Sequence, residues 1–193
     1  MLRERYLELV KSALVNELYV ELEAQMLMSV LCSAQNVVLD LDDFLAVRRD
    51  KAFLKQLLDA KSNGESILLE TADGRVHGVD KDLRNFSEYS LTLVGRKRLD
   101  NLQMCIESIL ENDIPGDFLE AGVWRGGCCI LMRAVLAANN CCDRAIWLAD
   151  SFAGVPVSDA DADRKYAMDP SLLPVLAVPV DEVKENFQRF GLL

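Results

Sequence analysis

From Gly116 to Phe152 the chain reads GDFLEAGVWRGGCCILMRAVLAANNCCDRAIWLADSF, and this stretch restricts the fold more tightly than any other. Phe118, Leu119, Ala121 and Val123 form a short apolar run bounded by Gly116 and by Gly126-Gly127, the pattern of a buried parallel strand. Past the glycines, Ile130, Leu131, Ala134, Val135 and Ala138 recur at spacings of three and four, which predicts a helix with one apolar face packed back on that strand. Asn139-Asn140 ends the helix. Ala145 to Ala149 is a second apolar run, closing on Asp150. Strand, glycine turn, helix and strand in this order make a right-handed βαβ unit, which takes its ligand at the carboxyl ends of the strands.

Details of the turn select the ligand. Glycines let a backbone approach closely, and the free N–H groups at a helix start, carrying the positive end of the dipole, suit an anion. A dinucleotide needs G-x-G-x-x-G, whose second glycine leaves room for the pyrophosphate. Here that position is Trp124, which disfavours a nicotinamide oxidoreductase. S-adenosylmethionine asks for less: its anionic end is one carboxylate, its ammonium wants a carboxylate partner, and its ribose hydroxyls want an acceptor. Glu120 and Asp150 can supply the last two.

The run Glu120 to Gly127 resembles the E-x-G-V-W-R-G-G signature of the macrocin O-methyltransferase family, itself similar to other class I S-adenosylmethionine-dependent methyltransferases. The likeness continues through Ile130 to Ala134, through W-L-A-D-S-F at Trp147 to Phe152, and into Gly154-Val155-Pro156. Upstream, Leu2 to Lys11 is similar to the family's start, and Gly95 to Asn101 with Thr92 resembles its T-M-I-G-x-x-R-L-D-N segment. Downstream, Leu176 to Leu193 resembles L-A-V-S-L-E-E-V-x-x-N-F-x-x-Y-G-L-L. The resemblance runs end to end and is weakest between Ala24 and Asp80. It implies an α/β, Rossmann-like class I methyltransferase fold with an N-terminal helical extension and the later strands of the sheet missing. The expected organisation is a mostly helical region over residues 1–112 and the N-terminal half of the cofactor-binding domain over 113–193. The cofactor residues it implies are Glu120, Gly122, Val123, Trp124, Arg125, Gly126, Gly127, Asp150, Ser151 and Thr92. For Thr92, a helix-start hydroxyl is an equally good reading. Gly126→Val is expected to damage cofactor binding more than Gly154→Val, because the first blocks close approach at the helix start while the second lies in a loop.

Composition bounds the rest. With 193 residues and 51% hydrophobic content the chain can bury one sizeable core. A formal net charge of −10 and no cluster of Lys and Arg argue against a nucleic-acid partner, which would call for a basic stripe. The N-terminus carries charges among its apolar residues, unlike a signal peptide, and the uncharged run from Ala24 to Leu39 falls short of the ~20 apolar residues of a membrane span. A cytoplasmic protein with no membrane partner is expected. The six cysteines include two adjacent pairs and no C-x-x-C, so they read as reduced, small and buried rather than as zinc ligands or a redox motif.

Along the remaining chain, Leu7, Val10, Leu14 and Leu18 trace one face of an opening helix, and a second helix spans Glu21 to Ala34 with Met26 and Met28 as core filling. Asp40 to Asp43 reads as a turn and cap ahead of one helix over Phe44 to Ala60, closed by Asn63-Gly64. Ile67 to Leu69 and Arg75 to Val79 are strand-like around Asp73-Gly74. The lone histidine, His77, lies there and is left out of the site. Ser87 or Ser90 could start the next segment, where Leu99, Leu102, Ile106, Ile109 and Leu110 mark a helix. Arg98 either pairs with a carboxylate or faces solvent. Asp159, Asp161 and Asp163 have calcium-loop spacing, but the sixth and twelfth positions are Arg164 and Pro170, which argues against an EF-hand. Asp169 to Pro174 reads as a linker or lid. Pro179 stands where the family has a serine cap, before a helix outlined by Val180, Val183, Phe187 and Phe190 and ended by Gly191.

No catalytic base and no metal ligand are assigned. The family's histidine after A-D-S-F has no counterpart, and the acidic D-G-D-M-Y and D-D-Y segments that the resemblance ties to magnesium would lie beyond Leu193. The resemblance implies a small-molecule hydroxyl acceptor, in the family a sugar hydroxyl of a glycosylated natural product, and admits a homo-oligomer. With the sheet halted inside the domain, the chain as written is expected to lack methyl transfer and to be poorly stable alone. The alternative is a non-catalytic remnant acting as an interaction or pairing module.

Overall fold

The computed structural model describes residues 2–34, 36–63, 67–70, 76–79, 87–156 and 174–193. They fall into two compact units, Met1–Leu102 and Gln103–Leu193.

The first unit is built mainly of helices. Helix α1 (Leu2–Leu14) buries Leu7, Val10 and Leu14, the three-and-four spacing read from sequence. It stops before Leu18, because Asn16 turns left-handed at φ 55°, and Leu18 is exposed. Helix α2 (Val20–Ala34) contributes Val20, Ala24 and Leu27 to a core cluster with Leu57. The single helix expected over Phe44 to Ala60 is two: α3 (Leu41–Val47) and α4 (Lys51–Asn63). Each has an aspartate cap. Asp40 Oδ1 accepts from the N–H groups of Asp42 and Asp43 at 2.8 and 3.3 Å. Asp50 Oδ1 does the same for Ala52 and Phe53 at 3.1 and 3.0 Å. Continuous apolar spacing hid the second cap, whose short carboxylate takes the N–H bonds a through-going helix would have given to carbonyls. Strands β1 (Ile67–Glu70) and β2 (Val76–Val79) form an antiparallel pair with Leu69 opposite His77. The calcium-like spacing at Asp159 to Asp163 and residues 169–173 of the expected linker or lid lie outside the described residues.

A buried polar network crosses this unit. Glu23 on α2 accepts from Asn16 Nδ2 at 2.9 Å and from the Ser87 hydroxyl. Lys61 on α4 donates to the Val15 carbonyl at 2.8 Å and stands 3.5 Å from the Glu23 carboxylate. Both charged side chains are almost fully buried. Burial pulls the Lys61 ammonium below its ordinary pKa, with the Glu23 charge opposing that shift. Ser87 therefore serves the core, and neither it nor Ser90 caps α5 (Arg96–Glu111), which starts after Gly95. Arg98 faces solvent with no ion pair among the described residues, whereas Arg96 pairs with Glu17 at 2.7 Å and with Glu8.

The second unit holds the expected strand, helix, strand sequence: β3 (Phe118–Ala121), α6 (Gly127–Ala138) and β4 (Ile146–Ala149). The two strands are parallel neighbours, with Phe118 opposite Ile146 and Ala121 opposite Ala149. Asp117 secures the near end, accepting from the Ala145 N–H and from Trp147 Nε1, both at 2.9 Å. Helix α6 buries Ile130, Leu131, Ala134 and Val135 as read from their spacing, and Asn140 at φ 55° follows its end. Among the described residues of this unit, one face of the sheet is the more covered. Phe118, Glu120, Ile146 and Leu148 are half-buried, while Leu119 and Trp147, paired across the strands, are 64% and 58% exposed. A parallel strand is buried when both faces are covered, so the expectation of buried strands is not met here: alternate residues are half-buried and the others exposed. The final helix, α7 (Val180–Arg189), has Pro179 as its N-cap without a side-chain cap bond. Pro179 serves there because its fixed φ and missing N–H suit a helix start.

Candidate cofactor site

Strand β3 ends at Ala121, two residues earlier than its apolar run, because the chain turns at Gly122 (φ 84°). Two further residues of the turn are left-handed, Trp124 (φ 50°) and Gly126 (φ 87°). A tryptophan at positive φ is rare and needs the surrounding structure to hold it there. Its indole is buried, and Nε1 donates to the Val175 carbonyl at 2.7 Å. The Arg125 guanidinium stacks 4.4 Å from the Trp124 ring centre and stands 3.9 Å from Glu182.

Asp150, just past β4, organises this turn. Its Oδ2 accepts from the Val123 N–H at 2.6 Å and the Trp124 N–H at 3.4 Å, and its Oδ1 accepts from the Phe152 N–H at 2.9 Å. Burial alone would raise its pKa, but these backbone donors outweigh it and the carboxylate is held below its ordinary value. Ser151 lies beside it, exposed, donating to the Gly154 carbonyl at 3.1 Å.

Glu120, one residue inside the strand end, is placed differently. Its Oε2 accepts from Cys129 Sγ at 2.8 Å, and the Cys128 thiol and Cys129 N–H also bond to it. Burial nevertheless dominates and raises its pKa. Burial, with the neighbouring Glu120 charge, also pushes the Cys129 thiol well up, so it stays protonated and donates. The cysteine pair read from sequence as small hydrophobes thus positions a carboxylate. Because the folded state raises this carboxyl's pKa above 4.5, it binds the proton more tightly than the unfolded chain does. The stability this gives is fully present below about pH 4.5 and is lost as pH rises through the folded value. Glu120→Gln is therefore expected to melt above the wild type at pH 7, with the gap closing as pH approaches 4, in thermal melts followed by circular dichroism.

Helix α6 starts at this point with Gly126 as its N-cap, offering no side chain to the first N–H groups. A Cβ on Gly126 would lie 2.9 Å from Val183 Cγ1 and 3.4 Å from Phe187 Cε2 of α7. Asn186, fully buried between those two, donates to the Arg125 carbonyl at 3.0 Å. Sequence reading placed Val183 and Phe187 on an apolar face and missed that the face supports the turn. The available signal was a buried-face position occupied by Asn186, a polar residue that needs a partner there. Gly154 lies in a loop, as expected, but not in open space. At φ 80° its Cβ would meet Ala177 Cβ at 3.1 Å and the Ala177 main chain at 3.2 Å, so it is no more tolerant than Gly126.

The second unit thus brings together Glu120, the whole turn Gly122, Val123, Trp124, Arg125, Gly126 and Gly127, then Asp150 and Ser151. Thr92 belongs to the first unit, where it is buried and its hydroxyl accepts from the Val94 N–H at 3.2 Å.

Two acids at adjacent parallel strand ends, flanking a glycine-rich turn into a helix, belong to an α/β methyltransferase fold, present here with an incomplete sheet. The structure is similar to that of the O-methyltransferase NovP, with a TM-score of 0.65 and 29% identity, over 99% of this chain and 60% of that one. Residues 3–193 match the Macrocin-O-methyltransferase (TylF) family, and the chain belongs to it. It is 46% identical over 127 residues to the 8-demethyl-8-(2,3-dimethoxy-alpha-L-rhamnosyl)-tetracenomycin-C 4'-O-methyltransferase of Streptomyces olivaceus, covering 63% of this chain and 46% of that protein. It is 45% identical over 113 residues to the demethyldecarbamoylnovobiocin O-methyltransferase of Streptomyces niveus, covering 57% and 43%. It is 44% identical over 110 residues to the mycinamicin III 3''-O-methyltransferase of Micromonospora griseorubida, covering 53% and 42%. The matches span less than half the length of these curated relatives.

Proposed function

We propose that this chain carries the S-adenosylmethionine-binding part of an O-methyltransferase that acts on a hydroxyl, in the first instance a sugar hydroxyl, of a glycosylated natural product. The observation that carries the reading is the pairing of Glu120 and Asp150 at neighbouring strand ends around a turn whose N–H groups Asp150 orders. Family membership and the printed activities of the three relatives, all O-methyltransferases and one naming a rhamnosyl-bearing substrate, support the acceptor class.

The residues present fit the cofactor by their chemistry. Glu120 is a half-buried carboxylate without a cation among the described residues, and a bound ammonium would supply one. Gly126 leaves the start of α6 uncapped, which suits the carboxylate of the methionyl group. Asp150 already accepts from the backbone N–H groups of Val123, Trp124, Phe152 and Ser151, so ribose hydroxyls would share its oxygens with these donors. When bound, S-adenosylmethionine supplies an electrophilic methyl on a sulfonium. What this chain adds is position: fixed donors and acceptors that hold the methyl donor for in-line approach by the acceptor oxygen. Thr92 is proposed as a further cofactor contact from the family resemblance alone. Magnesium is implied by the same resemblance. Among the described residues no group of three or more His, Cys, Asp or Glu is placed to hold a metal ion, and no step is derived through one. No described helix is long and apolar enough to cross a membrane.

The test is titration calorimetry of S-adenosylmethionine into the full chain. Asp150→Ala removes a charge-assisted acceptor and loosens the Val123 and Trp124 N–H groups, which should weaken binding by about 1.5–3 kcal/mol, on the order of ten- to a hundredfold. Unchanged affinity in a folded variant would remove Asp150 from the site. Glu120→Gln should lose affinity while gaining stability, the two effects running in opposite directions because the ionised carboxylate is costly alone and useful beside an ammonium.

A further inference from the structure

Carboxylates that the fold takes out of water are held here in two different ways. In the first unit Glu23 stands 3.5 Å from the Lys61 ammonium, and Glu17 stands 2.7 Å from the Arg96 guanidinium. Glu120, in the second unit, has no cation beside it among the described residues. Its partners are neutral donors: the Cys129 thiol at 2.8 Å, the Cys128 thiol and the Cys129 N–H. A cation cancels the charge of the carboxylate it pairs with. A thiol is a weak, uncharged donor, so it orients the oxygen and leaves the charge in place for a ligand.

The thiol also fixes where that charge stands. Cys129 is the third residue of α6 and is fully buried, so its side chain has no route to solvent. Its bond to Glu120 therefore ties β3 directly to the start of α6, where Gly126 offers no side chain to the first N–H groups. Such a tie matters for one kind of ligand. An α-amino acid carries its ammonium and its carboxylate on the same carbon, so a site that reads both must keep an acceptor and a set of N–H donors at a fixed separation. Here the acceptor comes from the strand and the donors from the helix, and the turn between them is left-handed at Gly122, Trp124 and Gly126. A direct bond across that turn holds the two in register, as a binding constellation requires.

We propose that Cys129 is a positioning residue for the amino-acid end of the cofactor: its thiol locks Glu120 against the start of α6, so that the ammonium and carboxylate of one α-amino-acid group meet their partners together. The inference rests on the cofactor reading above and gives Cys129 no contact with the ligand itself.

Titration calorimetry of the full chain with two thioethers tests it. S-adenosylhomocysteine keeps the amino-acid end of the methyl donor, and 5′-methylthioadenosine lacks it. Cys129→Ala should weaken S-adenosylhomocysteine binding about three- to tenfold, the effect of losing one modest hydrogen bond, while methylthioadenosine binds the variant as it binds the wild type. Cys129→Ser leaves nearly the same space as alanine but restores a donor, and should return to within about twofold of the wild type. The pair Cys129→Val and Cys129→Thr repeats the comparison without the cavity, a methyl against a hydroxyl, should the smaller side chains unsettle the helix. Circular dichroism reports folding in all four. A role confined to packing predicts that alanine and serine behave alike and that both ligands weaken together. Either result overturns the proposal, as does Cys129→Ala binding S-adenosylhomocysteine like the wild type. A wild type that takes up neither thioether would bring down the cofactor reading itself and this inference with it, whereas one that binds both equally well would show that the amino-acid end is not read and overturn this inference alone.

Discussion

Gly126→Val is expected to lose both stability and cofactor binding, and the structure separates two causes. The first is conformational: at φ 87° a side chain costs about 1–2 kcal/mol before it touches anything. The second is steric. A Cβ would come 2.9 Å from Val183 Cγ1, and forcing methyl groups into packed surroundings adds about 1–3 kcal/mol. Because Val183 and Phe187 buttress the turn from α7, relief by movement must shift either that helix or the start of α6, and the second displaces the N–H groups proposed to hold the cofactor. Denaturant unfolding should show the combined loss. Adding Val183→Ala should recover the steric part and leave the conformational part, a distinction a double-mutant cycle resolves. Full stability in Gly126→Val alone would mean that α7 does not press on the turn. Gly154→Val should be comparably destabilising, since the Ala177 main chain stands in its way.

Lys61→Met should be about as damaging in the first unit. The methionine matches the lysine stem in length but removes the Lys61 ammonium that donates to the Val15 carbonyl and stands beside the buried Glu23 carboxylate. Removing one partner of a buried pair typically costs about 3–5 kcal/mol. Lys61 is held below its ordinary pKa because burial penalises the ammonium more than the Glu23 charge offsets, and replacing a buried ion pair as a whole is often close to neutral. Replacing both partners, as Glu23→Gln/Lys61→Met, should therefore recover most of the loss, with the amide oxygen still available to Asn16 and Ser87. A single variant as stable as the wild type at pH 7, measured in urea, would show that the network is dispensable.

Local sequence determined a good deal of this protein. Apolar spacing set the buried faces of α1 and α6, because a helix repeats every 3.6 residues whatever it packs against. The run from Phe118 to Asp150 determined the parallel pair and its glycine turn, because short apolar runs between glycines have few ways to fold. Family membership was legible in the same run, through Glu120 to Gly127 and the A-D-S-F that follows.

Other features depended on partners distant in the chain. Asp50 divided one expected helix into two because its carboxylate competes with backbone carbonyls, which apolar spacing does not register. The thiols that hold Glu120 come from the far side of the turn, and burial there, rather than the residue type, raised its pKa. Gly154 reads in sequence as a loop residue, and its confinement comes from its φ of 80° and from Ala177 folding against it. Trp124 is kept in a left-handed conformation by a turn tied to Asp150, while its indole bonds to Val175. The sequence by itself determined which residues form the turn; tertiary packing from α7 and Asp150 decided its shape, because a turn this short has no hydrogen-bond ladder of its own and takes its geometry from the groups that contact it.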